Sequence, residues 1–113
     1  MAVKEKIDFD KPIIGKDHIL EIDSGDLDDF YVCASATDRN NFFFVLLASL
    51  HYYEENVDTL RAAHLSFLVA YYVFIPLTPP GSHCLALHYM NKAISLYPLP
   101  EYKEWLVVME KGN

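Results

Sequence analysis

Residues 81–98, Gly81-Ser82-His83-Cys84-Leu85-Ala86-Leu87-His88-Tyr89-Met90-Asn91-Lys92-Ala93-Ile94-Ser95-Leu96-Tyr97-Pro98, decide how this chain folds. Ala86 and Ala93 stand seven apart, so they stack on one helical face and let a neighbouring helix approach closely. Bulky Tyr89 and Met90 sit between them. Gly81 supplies a turn, Ser82 an N-cap, and Pro98 a stop. A helix with such a face needs another helix against it.

The preceding segment provides one. Asp58 is a good N-cap for a helix from Thr59 to about Ile75. Its Leu60, Ala63, Leu65, Phe67, Leu68, Ala70, Tyr71, Val73 and Phe74 surround nearly the whole circumference, which predicts a central helix packed on every flank. The longest apolar run, Leu65 to Ile75, falls short of the ~20 residues that span a bilayer. Pro76, Pro79 and Pro80 make a stiff connector to the helix over about His83–Leu96. After Pro98-Leu99-Pro100 another helix begins, with Tyr102, Trp105, Leu106 and Met109 on one face.

Upstream, Leu27, Phe30, Tyr31 and Ala34 form an i, i+3, i+4, i+7 stripe that predicts a helix from about Leu27 to Thr37, with Ser24 or Asp26 as its cap. Asp38-Arg39-Asn40-Asn41 reads as a break before a second helix, Phe42 to about Glu55. That helix opens with an apolar run too long to be one-sided. Residues 1–22 read as an N-terminal arm, irregular or a short β hairpin. The expected architecture is all-α: a single helical domain over 23–113, a compact antiparallel bundle of four to five helices.

The pattern Ala86, Tyr89, Met90, Ala93, Ile94, Leu96, Pro98 resembles the second helix of a tetratricopeptide repeat. Phe67, Ala70, Tyr71 and Phe74 give a rough first helix, without the glycine the family places near Tyr71 and with a connector about three residues too long. The resemblance covers one degenerate repeat, residues ~65–98, and implies stacked helix pairs that bind another protein. Two small residues at an ordinary helix crossing account for the same spacing.

At 113 residues with 52% hydrophobic and 22% charged, the chain has the composition of one folded domain. A net charge of −7, with nine scattered basic residues, argues against nucleic acid. The acidity is concentrated: seven carboxylates and no Lys or Arg lie between Asp17 and Asp38. Such a run is commonly a solvated face, and it also steers basic partners. Cys33 and Cys84 both fall in apolar helical patterns and suit a reduced, cytoplasmic protein in which Cys behaves as a small hydrophobe, while no framework supports a disulfide between them.

Candidate chemistry is thin. His51 with Glu55, and Cys84 with His88, are i, i+4 pairs able to place two ligands on one face, but neither has a third ligand at fixed spacing. The carboxylates around Gly25 lack the calcium-loop register. Cys84 has His83 and His88 nearby without a basic setting. No cofactor and no enzyme activity is expected. What remains is aromatic content: eight Tyr and seven Phe, more than a small core readily hides. The expectation is a protein–protein interaction module, adaptor or regulator, using Tyr52, Tyr53, Tyr71 and Tyr72 with Asp26, Asp28 and Asp29 on an acidic rim. The alternative is an inhibitor or immunity-type protein masking a basic enzyme surface. The partner is another protein or a second copy, neither nucleic acid nor membrane.

Overall fold

The helix that sequence marks as apolar on every side is the one everything else covers. In a computed structural model describing residues 13–112, six α-helices follow one another with no strand among the described residues: α1 Lys16–Ile19, α2 Ser24–Cys33, α3 Ala36–Glu55, α4 Thr59–Tyr72, α5 Ser82–Leu96 and α6 Pro100–Glu110. The chain is all-α. A π-helical turn, Val73–Leu77, extends α4. Helices α1, α2, α3 and α5 all pack on α4, and α6 packs on α5. Every residue from Leu65 to Phe74 is buried. The segment Thr59–Leu77 is long and apolar enough to cross a membrane, yet 67% of its most apolar window is buried within the fold, as in a core helix.

The caps explain the boundaries. Asp58 accepts from the Arg61 N–H and starts α4 where expected. Pro100 occupies the first turn of α6, where its missing N–H costs nothing. Gly81, at φ +83°, takes the N-cap of α5 in a backbone conformation that side chains resist, so Ser82, expected as the cap, is instead the first helical residue. Helix α2 starts earlier than its apolar stripe, and its N-cap is Asp23 instead of the expected Ser24 or Asp26, because Asp23 and Asp26 form a reciprocal capping box.

The largest departure is at Asp38–Asn41, expected as a break. The break falls at Ala34–Ser35 instead, and Ser35 caps a 20-residue α3 by accepting from the Asp38 N–H. Arg39 is held inside the helix by long-range partners. Its guanidinium donates to the Tyr31 carbonyl at 2.7 Å and lies 4.0 Å from the Tyr31 ring centroid. Those contacts outweigh the turn preference of the Asp-Arg-Asn-Asn run.

The N-terminal arm contributes to the core in its described part. It is one helical turn, with Ile14, Ile19 and Ile22 at most 1% exposed. Two side chains of α4 hold its backbone: Arg61 Nε donates to the Lys16 carbonyl and His64 Nε2 to the Ile22 carbonyl, at 3.1 and 2.7 Å. The arm expected over 1–22, irregular or a short β hairpin, is from residue 13 on this helical turn, without a strand; its earlier portion lies outside the described residues.

The α3–α4 junction closes as a Schellman motif. Asp58 N–H donates to the Tyr53 carbonyl and Val57 N–H to the Glu54 carbonyl. Position C′ requires a left-handed backbone, and β-branched Val57 occupies it at φ 56° while 80% exposed. Val57→Gly is expected to stabilise the protein by about 0.5–1 kcal/mol, since relief of the left-handed strain exceeds the added unfolded-state entropy. Urea denaturation checks this, read as a higher midpoint at unchanged slope.

Burial holds the His64 imidazole pKa below its ordinary 6.5, against the opposing pull of the Ile22 carbonyl. The folded state therefore keeps His64 neutral where the unfolded chain takes up a proton. Its contribution to stability is complete above about pH 6.5 and is lost as pH falls from there towards the lowered folded value. His64→Gln, which retains an N–H donor, should flatten that part of the stability profile relative to the parent in denaturation from about pH 8 to about pH 5.

Candidate interaction surface

Three of the four tyrosines expected on an open surface are core residues. Tyr53 and Tyr71 are 5% exposed and Tyr72 is fully buried, while Tyr52 is 46% exposed. The buried rings end on defined acceptors. Tyr53 donates to the Ile14 carbonyl at 2.8 Å, Tyr72 to the Arg39 carbonyl at 2.7 Å, and Tyr71 to both carboxylate oxygens of Asp28 at 2.9 Å. Burial, and then the Asp28 carboxylate, push the Tyr71 hydroxyl up to about 12. Burial raises Tyr53 and Tyr72 as well. All three remain protonated donors near neutrality. They join helices and leave nothing for a partner to grip.

The expected acidic rim divides similarly. Asp26 is committed to the capping box with Asp23, and Asp28 to Tyr71. Asp29 is exposed, as are Asp17, Glu21 and Asp23. On the same segment Leu20 is 44% and Val32 77% exposed. Exposed carboxylates and exposed apolar side chains therefore both occur within residues 17–32.

A second exposed apolar feature runs along α3. Phe44 is 64% exposed, with Phe43 edge-on to it at 5.5 Å, and Tyr52 stands edge-on to Tyr53 at 5.0 Å. The over-long apolar run of this helix had signalled a second apolar face. The tyrosine count does not point to Phe44, which stands in solvent, or to the half-buried Ala48. A pocket of about 170 Å³ opens where α3 ends, α4 begins and Leu96 approaches. Its two carboxylates are already paired, Glu54 with Lys92 at 2.9 Å and Asp58 with Arg61 at 3.0 Å.

The remaining candidates stand on the surface. His51 and Glu55 approach to 3.0 Å with both side chains exposed. His88 lies against the Tyr89 ring, and Cys84 near it is exposed. Among the described residues no group of three or more His, Cys, Asp or Glu side chains is placed to hold a metal. Cys33 and Cys84 are both free and exposed, so although each falls in an apolar helical pattern it sits on the outward side of its helix.

No known protein family, curated protein or solved structure matches this chain. Its reading rests on its own residues.

Ser49, fully buried on α3, accepts the Ile14 N–H at 2.9 Å, one turn before Tyr53 takes the Ile14 carbonyl. One helix face thus satisfies both backbone groups of a buried residue. Ser49→Ala leaves that N–H unpaired and should cost about 1–3 kcal/mol. Tyr53→Phe should cost a similar amount, and the pair should be non-additive. A double-mutant cycle in urea measures the coupling, and faster amide exchange at residues 14–22 would locate it.

Proposed function

We propose that this chain is a small acidic protein–protein interaction module, an adaptor or regulator without catalytic activity, that meets a basic partner through the outer side of α1 and α2. The observation that carries this reading is the surface of residues 17–32. Asp17, Glu21, Asp23 and Asp29 are exposed there beside Leu20 and Val32, and no Lys or Arg occurs between Asp17 and Asp38. Carboxylates of one sign steer a basic surface into encounter, and apolar side chains among them hold it once water leaves. Solvation alone would favour the carboxylates but not Val32.

The helix pairing supports a tetratricopeptide-like module. Helices α4 and α5 pack extensively, and Ala86, Met90 and Ala93 form the buried side of α5. The exposed free thiols fit a reducing compartment, hence the cytoplasm. An inhibitor or immunity-type role would use the same acidic surface, its basic partner then being an enzyme that loses activity on binding.

Capture of partners from the native host, followed by salt titration, tests the proposal. Retention should fall steeply as salt rises. Paired replacements Asp29→Lys and Val32→Asp should weaken it about tenfold or more while leaving the helical circular dichroism unchanged. Retention indifferent to both salt and these replacements would end it.

A further inference from the structure

The outer stripe of α3 reads alike in both directions. Centred on Ala48, it carries an aromatic ring four residues to either side, Phe44 and Tyr52, and a polar side chain seven residues to either side, Asn41 and Glu55. These five positions fall within about 40° of one line along the helix and span about 21 Å. Asn41, Phe44, Tyr52 and Glu55 are exposed and Ala48 is half-buried. A contact about a two-fold axis requires residue i to meet j while j meets i. Antiparallel pairing about Ala48 sets the small residue on itself and each aromatic ring on an aromatic ring, so the stripe is self-complementary there.

Charge points to the same occupant. Each copy carries −7, so two copies repel wherever their carboxylates meet. The exposed residues of α3 from Asn40 to Tyr52 include no carboxylate. Glu55, at the end of the stripe, lies 3.0 Å from its own His51 and would face the Asn41 amide of the second copy. Carboxylate therefore never opposes carboxylate along the stripe, whereas a basic ligand would find little there to attract it.

The geometry points to a homodimer in which α3 pairs antiparallel with α3 of a second copy about an axis at Ala48. The small side chains meet at the centre and let the helices approach to about 8 Å. Phe44 of each copy packs on Tyr52 of the other, and Asn41 on Glu55. The α1–α2 surface takes no part, so this inference stands apart from the binding of a basic partner.

Sedimentation over a range of concentrations should give twice the chain mass. Phe44→Glu should weaken association about tenfold or more without loss of helical circular dichroism. Register is read by cross-linking in a Cys33→Ser, Cys84→Ser background. Ala48→Cys should form a disulfide with itself. Phe44→Cys and Tyr52→Cys should each fail alone, like positions being about 12 Å apart along the axis, and cross-link when mixed. A single-chain mass throughout, a dimer indifferent to Phe44→Glu, a different cross-linking register, or a monomer whose stripe takes up a foreign helix or a lipid vesicle would each overturn the proposal.

Discussion

Everything in this fold depends on the enclosure of α4. Ten consecutive residues, Leu65 to Phe74, are buried, so the helix has no side on which water is acceptable. Helices α1, α2, α3 and α5 are what surround it. Helix α6 reaches the same centre through its rings: Tyr102 stacks on Phe67 at 5.5 Å, and Trp105 meets Tyr71 edge-on at 5.2 Å. The radius of gyration, 13.0 Å, is that of one compact unit, against about 13 Å expected for this length.

Burying short irregular segments against such a core creates a second requirement, since their backbone groups lose water. Side chains from the long helices meet it. Ser49 and Tyr53 bracket Ile14, while Arg61 and His64 take the carbonyls of Lys16 and Ile22. Tyr71 and Tyr72 tie α2 and α3 to α4, through the Asp28 carboxylate and the Arg39 carbonyl. The high tyrosine content thus has a structural use. A phenol fills the gap between helices and still delivers a donor at its far end, which phenylalanine cannot do. The side chains that this scheme leaves outside include carboxylates and apolar groups of α1–α2 and the aromatic residues Phe44 and Tyr52 of α3.

Local physics was enough for much of this. A helix apolar all round must be central, Asp58 must cap it, and Pro98 and Pro100 must separate the last two helices. The stripe Tyr102, Trp105, Leu106, Met109 does turn inward, with Tyr102 and Met109 buried and the other two half-buried. Helix α3 was less legible at its start, because Arg39 finds Tyr31 only after the chain has folded. Its second apolar face was legible as an excess of apolar residues, though not which of them would be left in water.

The amino-acid sequence by itself determined the helical periods, the Asp58 cap, the central place of α4 and the separation of acidic from basic residues, all set by neighbours within a few positions. Tertiary structure alone decided which tyrosines are tethers, that Cys33 and Cys84 face outward, and that Phe44 and Tyr52 stay exposed. The physical reason is that α3 and α4 are apolar on more than one side. Periodicity then cannot say which side a neighbour will cover, and only the packed arrangement of the other helices does.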